Sequence, residues 1–246
     1  MFELSLSISL NKQKYLSKIF KNLSAEIKAD GGVITKHNHS GRSYVAIAIS
    51  KHKKEYYKSK ILDMIVSIII NNYKFNLFKD YLGLDETKLL HQLFLNAVII
   101  FDYDLDKEFI KSKVELKNEV CIDSFFFFKL QDLKSKWERT AYIIKQNNIA
   151  LSDDSIFEIL KKLAQVTENK VLCYDIFVQQ ATIKIKNADF KKLFKNNQSE
   201  QLKLLVEILK NNPQKININI CSSYNDFGYV IEILQGIYQD KIYLQS

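Results

Sequence analysis

The sequence contains few of the residues that cross-link a chain or place it in a membrane. It has three cysteines among 246 residues, too few to hold a chain of this size together, which excludes a disulfide scaffold. The longest apolar runs, 61–70 and 89–101, contain polar residues and are shorter than the roughly 20 residues that a membrane helix needs. Because apolar residues make up 47% of the chain, we expect a globular protein without a membrane span that folds on a hydrophobic core.

Arginine is also scarce, since 34 of the 36 basic residues are lysine. Arginine makes the bidentate contacts that recognise phosphates and guanine edges, so a chain with only Arg42 and Arg139 is poorly equipped to read a DNA sequence. Lysine can still hold phosphates. The formal net charge of +8 is spread evenly over the two halves of the chain, without a basic tail. We interpret the lysine excess as the codon bias of an AT-rich genome.

The cysteines and the N-terminus indicate the cellular compartment. Cys121, Cys173 and Cys221 lie far apart, each in an apolar run, where a free thiol behaves as a small buried hydrophobe. The first ten residues alternate between polar and apolar and lack a positively charged start, so we do not expect a signal peptide. A cytoplasmic location follows from both observations.

Hydrophobic periodicity predicts an α+β fold in three regions. Residues 1–50 form a small N-terminal α/β layer, residues 51–150 an all-helical middle, and residues 151–246 a C-terminal α/β region. A single sheet could join the first and last regions. No internal repeat is evident.

Period-2 alternation and turn residues place the strands within this plan. The N-terminal layer is βαββ, with a strand to Leu10, a helix capped by Asn11, and a hairpin of strands 32–36 and 43–50. The C-terminal region combines an antiparallel hairpin with a closing βαβ layer, which indicates a parallel pair of strands. Between them, residues 125–146 form a long helix that carries the only tryptophan.

The start of this long helix resembles a motif of a known family. Phe125, Phe128 and Leu130 match a pattern close to Gly-Phe-x-x-Phe-Arg-Leu-x-x-Tyr, whereas Ser124 replaces its Gly, Lys129 its Arg and Leu133 its Tyr. On this pattern, and on the order of the C-terminal elements, residues 60–246 resemble the YtxC-like family of sporulation proteins of spore-forming Firmicutes. The resemblance implies a cytoplasmic protein of a sporulating bacterium. It supplies no catalytic residues.

Several sets of residues are candidates for catalytic or metal-binding groups. His37 and His39, two apart in a turn, are too few for a zinc site, and His91 lies in an apolar helix. The acidic run Asp102, Asp104 and Asp106 lacks the glycine and glutamate of a calcium loop. Because phosphate-binding glycine loops and nucleophile motifs are also missing, we predict no metal and no cofactor.

The densest basic stretch, 51–60, contains our candidate binding residues. Lys53, Lys54 and Lys58 can hold phosphates, and Tyr57 can stack on a base. The alternative is a solvated helix start. A second surface, the four phenylalanines 125–128, is expected to pack in the core, with an exposed docking face as its alternative.

These observations favour a non-enzymatic protein that acts by contacts with another macromolecule. An unidentified partner protein is the first choice. The first alternative is nucleic-acid binding without sequence preference through the lysine and tyrosine patch. The second is an unrecognised enzyme, which a pocket containing Lys129, Arg139 or the acidic run would support.

Overall fold

The strands predicted at the two ends of the chain form two separate sheets in the computed structural model of this protein. The structure describes residues 1–147, 151–179, 182–187, 191–195, 197–220 and 227–245, so Cys221 lies outside the described residues. The predicted α+β class is confirmed, with strands, then helices, then strands along the chain. Two compact units are present: unit 1, Met1–Leu77 with Asp102–Thr140, and unit 2, Phe78–Phe101 with Ala141–Ser246. The division into regions 1–50, 51–150 and 151–246 stays a prediction.

Unit 1 contains the predicted βαββ layer and one further strand. Its strands are β1 (Phe2–Ser9), β2 (Val33–His39), β3 (Arg42–Ile49) and β4 (Glu119–Cys121), in the order β2-β3-β1-β4. Only β4 pairs in parallel, beside β1. The hairpin is longer than predicted, because Ser40 and Gly41, both with positive φ, form a two-residue turn that lets β2 run to His39.

The first helix of unit 1, α1 (Gln13–Ala29), packs on one face of this sheet. Leu4, Leu6 and Ile8 of β1 are buried, and the buried stripe of α1 falls at helical spacing against them. The helical elements are α1 (Gln13–Ala29), α2 (Lys54–Ile68), a π-helical segment (Ile69–Lys74), α5 (Tyr103–Lys113), the short α6 (Ile122–Ser124), a second π-helical segment (Phe125–Lys129) and most of α7 (Gln131–Asn147).

The long helix predicted over 125–146 is interrupted. Residues 125–129 are π-helical, and Leu130 separates them from α7 with φ −112° and ψ 27°. Phe126 is buried against Tyr73 and Trp137, whereas Phe127 and Phe128 are 47% and 72% exposed. The phenylalanine run therefore divides between the core and the surface, so that core packing holds for Phe126 but not for these two residues.

Unit 2 contains the C-terminal sheet and the helices that cover it. Its strands are β5 (Cys173–Val178), β6 (Thr182–Lys186), β7 (Lys191–Lys195), β8 (Lys215–Ile220) and β9 (Ile242–Gln245), in the order β7-β6-β5-β8-β9. The predicted hairpin of β5 and β6 is antiparallel, and β8 and β9 are parallel across the helix between them, as predicted. β7 was not predicted. The helices are α3 (Phe75–Leu82, which begins in unit 1), α4 (Leu89–Phe101), α8 (Asp153–Val166), α9 (Gln198–Asn211) and α10 (Gly228–Tyr238).

One helical stretch of the described residues, Lys51–Leu82, is long and apolar enough to cross a membrane by length and composition alone. Half of its most apolar window is buried within the protein, and core helices pass the same test. This is weak evidence for a span.

A buried ion pair holds the core of unit 1 together. The Lys74 ammonium lies 2.8 Å from the Asp106 carboxylate, and the Trp137 indole N–H donates to the same carboxylate at 3.0 Å. Both charged side chains are at most 2% exposed. Burial lowers the pKa of Lys74, while the hydrogen bond to Asp106 opposes that shift. The Lys74 charge is stable in the interior because of Asp106, which also has the Lys136 ammonium 3.5 Å away.

Replacing Asp106 with alanine is expected to lower the free energy of unfolding of unit 1 by about 3–5 kcal/mol, since it leaves a buried ammonium unpaired. Urea unfolding followed by the fluorescence of Trp137, the only tryptophan, measures the loss. Asp104→Ala, at the exposed neighbour, is the control and should change little. A loss below about 1 kcal/mol in Asp106→Ala would show that the pair is dispensable.

A second carboxylate joins β1, α6 and the first π-helical segment. Asp123 accepts hydrogen bonds from the backbone and hydroxyl of Ser9, from the Lys12 ammonium and from the Tyr73 hydroxyl, at 2.7–2.9 Å. The Arg42 guanidinium lies 3.5 Å away. Burial alone would raise the pKa of Asp123, but the hydrogen bonds outweigh it and hold the pKa at about 2.

The depressed pKa of Asp123 makes unit 1 sensitive to acid. As pH falls from about 4 towards 2, the unfolded chain takes up this proton before the folded chain does, so stability present above that window is lost. The difference in unfolding free energy between the protein and Asp123→Asn should therefore shrink by roughly 2 kcal/mol between pH 5 and pH 2. A constant difference across chemical denaturation at several pH values would contradict it.

Candidate functional site

The candidate binding residues of the basic stretch lie at the start of α2 and in the turn before it. Lys53 lies 3.5 Å from the Asp30 carboxylate, and Lys58 lies 3.9 Å from that of Glu55. The ammonium groups of Lys54 and Lys58 are 5.7 and 5.6 Å from the centre of the Phe2 ring. The three lysines are thus close together, and two of them have an acidic partner.

Tyr57 does not belong to this surface. Its ring is 0% exposed, and its hydroxyl donates to Asp30 at 2.8 Å. A fully buried ring cannot stack on a base, so the predicted stacking role is wrong for Tyr57, because the apolar stripe of α2 includes this position. Binding by Lys53, Lys54 and Lys58 stays a prediction.

A stronger combination of aromatic and basic side chains lies on the sheet of unit 2. Alternate residues of β5, β6 and β8 are 0% exposed and form the covered face of the sheet: Tyr174, Ile176, Val178, Ile183, Ile185, Ile216 and Ile218. The residues between them are partly or fully exposed on the opposite face. We call this opposite face the lysine–aromatic face and define it by Asp175, Phe177, Lys184, Lys186, Lys215, Asn217, Asn219 and Tyr243.

Strand register brings these residues together. Phe177 lies opposite Lys184 on one neighbouring strand and Asn219 on the other, and Asn217 lies opposite Tyr243. Phe177 and Tyr243 are therefore two strands apart and offset by two residues. With strands about 4.8 Å apart and a rise of about 3.3 Å per residue, their Cα atoms are about 12 Å apart.

Each ring of the lysine–aromatic face has lysine ammonium groups beside it. Lys184 and Lys186 lie 5.5 and 5.0 Å from the centre of the Phe177 ring, and Lys215 lies 4.4 Å from that of Tyr243. Tyr243 is 49% exposed. Flat apolar surfaces and positive charges thus alternate across four strands, β6, β5, β8 and β9.

Between the two rings lies a small polar cluster. The Asn217 amide donates to Asp175 at 2.8 Å and to the Cys173 sulfur at 3.3 Å. Burial, followed by the Asp175 charge, raises the pKa of the Cys173 thiol, which keeps it protonated and unreactive at neutral pH. The cluster therefore supplies hydrogen-bonding groups rather than a nucleophile.

Sequence reasoning missed the lysine–aromatic face for a physical reason. Isoleucine and asparagine alternate in β8, which is the signal of a one-sided strand. Phe177 and Tyr243 are 66 residues apart, however, and only the order β5-β8-β9 brings them onto one surface. Reading the polar positions of all strands together would have shown lysines on β6 and β8 beside one aromatic residue each on β5 and β9.

The remaining candidates do not form a metal or catalytic centre. His37 and His39 lie on β2, where the His37 ring stacks on Tyr44 at 5.0 Å. Among the described residues, no group of three or more His, Cys, Asp or Glu side chains could hold a metal ion. The hollow between α1 and α2 in unit 1 is lined by neither Lys129 nor Arg139 nor the acidic run, and Asp106 of that run is committed to its buried pair.

Comparisons of the chain with protein-family models, with curated proteins and with solved structures find no match. The resemblance to the YtxC-like family therefore stays a prediction. Any functional conclusion depends on the chemistry of the surfaces described above.

Proposed function

We propose that this protein is a non-catalytic binding protein and that its lysine–aromatic face holds a single-stranded nucleic acid. The observation that carries the proposal is the placement of lysine ammonium groups 4.4–5.5 Å from the rings of Phe177 and Tyr243 on one face of one sheet. Stacking platforms combined with backbone-tracking charges are the usual means of binding single strands.

The chemistry of each group suits this partner. Bases stack on Phe177 and Tyr243, and the lysines move from the rings to the phosphates that accompany those bases. The amide of Asn219, opposite Phe177 on β8, can contact base edges, whereas that of Asn217 is committed to Asp175 and Cys173. A duplex would offer its phosphates to the lysines but no base to the rings, so single strands are favoured.

Binding is expected without marked sequence preference. All three cations on the face are lysines, which hold phosphates as point charges and do not form the bidentate pairs that distinguish guanine. This agrees with the nucleic-acid alternative suggested by composition, but it moves the binding surface from the start of α2 to the C-terminal sheet.

Removing the charges of the lysine–aromatic face should abolish binding of a fluorescein-labelled 20-nucleotide oligo(dT), measured by anisotropy. With three phosphates neutralised, affinity should fall roughly 20-fold between 50 and 200 mM salt. Lys184→Glu/Lys186→Glu/Lys215→Glu should lose this binding. Phe177→Leu/Tyr243→Leu should weaken it at least tenfold at each salt concentration.

Matched controls separate the face from general charge. Lys53→Glu/Lys54→Glu/Lys58→Glu changes the net charge equally and tests the surface predicted from sequence, and Tyr229→Leu removes an exposed ring elsewhere in unit 2. Equal losses in both lysine variants would mean that the interaction follows total charge. Loss of binding only in Lys53→Glu/Lys54→Glu/Lys58→Glu would place the binding site at the start of α2 instead. No binding of the unaltered protein at 50 mM salt would end the proposal.

A partner protein is the second candidate, favoured by the exposed rings of Phe127 and Phe128 on the second π-helical segment. These residues belong to the motif that resembles the YtxC-like family. We include with this candidate a role in sporulation in the cytoplasm, as the resemblance implies.

Phe127→Ser/Phe128→Ser should lower the frequency of heat-resistant spores in the bacterium that encodes this chain, while leaving oligonucleotide binding unchanged. Since Phe127 and Phe128 are 47% and 72% exposed, covering that exposed part is worth about 2–4 kcal/mol, so their removal should release the partner. Tyr142→Ser, at another exposed ring, is the control. Normal spore numbers in the double variant would remove this surface from consideration.

A further inference from the structure

A groove in unit 1 runs between α1 and α2 and is separate from the lysine–aromatic face. The two helices are antiparallel, because Glu26 near the end of α1 binds Lys60 of α2, whereas Lys12, just before α1, reaches Tyr73 beyond the end of α2. The groove encloses about 670 Å³. It extends from Lys14 to Glu26 on α1, which is about 18 Å at the rise of an α-helix.

The groove is polar at its rim and apolar at its floor. Ile19, Leu23 and Ile68 form the floor, and the half-buried side chains of Tyr15 and Met64 form its walls. Asn71 and Asn72, from the first π-helical segment, add amide groups at one end. Such π-helical turns are frequent at functional sites.

A second hollow, of about 560 Å³, adjoins the groove and shares Lys14, Lys18 and Asn22 with it. Lys21 and Lys36 complete a set of four lysines, and no carboxylate of the described residues lines this hollow. Lys14, Lys18 and Lys21 recur at i, i+4 and i+7 and therefore project from one side of α1.

The other end of the groove has a different electrostatic character. There the Lys60 ammonium lies 2.7 Å from Glu26, and Asp63 lies 2.6 Å from Lys111. Those charges are neutralised within the protein. Positive charge is therefore concentrated at the end of the groove nearest Lys14, and an anionic group would be held there.

The shape and polarity of the groove indicate which class of ligand it binds. The three floor residues are at most 7% exposed, so an amphipathic helix lying in the groove would find little apolar surface to bury. The volume lies within the range of small-molecule sites. A ligand with a flat ring that contacts Tyr15 and Met64 and a strongly anionic group that lies over the lysines fits both the groove and the adjoining lysine hollow.

We infer that unit 1 binds a nucleotide with two or more phosphates, its base in the groove and its phosphates in the lysine hollow. The residues involved are all in unit 1, so this site does not depend on the proposed function of the sheet in unit 2. Binding here would make the protein responsive to a small anionic metabolite.

Isothermal titration calorimetry with ATP, ADP, adenosine and inorganic tripolyphosphate tests the inference on the full chain. ATP should bind more tightly than ADP, and both the nucleoside and the tripolyphosphate should bind at least tenfold more weakly than ATP. Lys14→Glu/Lys18→Glu should weaken ATP binding at least tenfold. Asn22→Trp should abolish it, because the indole fills the place that the groove and hollow share.

The ATP titration has a charge-matched control variant and several results that would contradict nucleotide binding. Lys162→Glu/Lys210→Glu, at exposed positions of α8 and α9, changes the net charge equally and should leave ATP binding intact. Equal affinity for ATP and tripolyphosphate would overturn the nucleotide assignment, as would unchanged binding in Asn22→Trp or no heat with 1 mM ATP. Oligo(dT) affinity should persist in Lys14→Glu/Lys18→Glu. If it disappears there instead, the lysine hollow is part of a nucleic-acid surface and the nucleotide site is rejected.

Discussion

One-sided burial of the two sheets is the constraint on which the rest of this structure depends. In each sheet, one face packs against helices with most side chains near 0% exposure, and the alternate residues of the same strands lie on the other face, where those of the unit 2 sheet are mostly polar. A strand that alternates strictly has no freedom to exchange these faces, since a shift of one residue would bury lysines and expose isoleucines. The chemistry of the outer face is thus fixed by the packing of the inner one.

This constraint explains which parts of the fold were predictable. The βαββ layer and the β8–α10–β9 ending follow from local alternation and helical spacing, and both are present. β7 lacks such a pattern in its sequence, Lys-Lys-Leu-Phe-Lys, and is defined by its pairing with β6. The break at Leu130 was also missed, because aromatic residues at 125–128 fit a helix, whereas the burial of Phe126 against Tyr73 and Trp137 is a tertiary effect.

The candidate sites were less predictable than the fold, and lysine abundance is the reason. With 34 lysines, local density is a poor guide to a binding surface, and the densest stretch has partners in Asp30, Glu26 and Glu55. What distinguishes a surface is which lysines converge and what accompanies them. Lys184, Lys186 and Lys215 converge beside aromatic rings, and Lys14, Lys18 and Lys21 beside a groove. Although Lys14, Lys18 and Lys21 are neighbours on α1, each arrangement is completed by residues from other elements, so no single stretch of sequence contains all of it.

The π-helical segment Ile69–Lys74 has an implication for how this chain can change by insertion and deletion. A π-turn contains one residue more than an α-turn, and each residue advances a helix by about 100°. At the end of this segment, Tyr73 reaches Asp123 and its neighbour Lys74 reaches Asp106. Deleting the additional residue would restore a regular α-helix. It would also rotate the residues that follow, so that Lys74 would point in the direction that Tyr73 now has, and neither Asp123 nor Asp106 would contact its present partner. The π-helical segment therefore sets the directions in which Tyr73 and Lys74 point. Descendants of this sequence can gain or lose residues in their loops more freely than they can lose a residue from this segment.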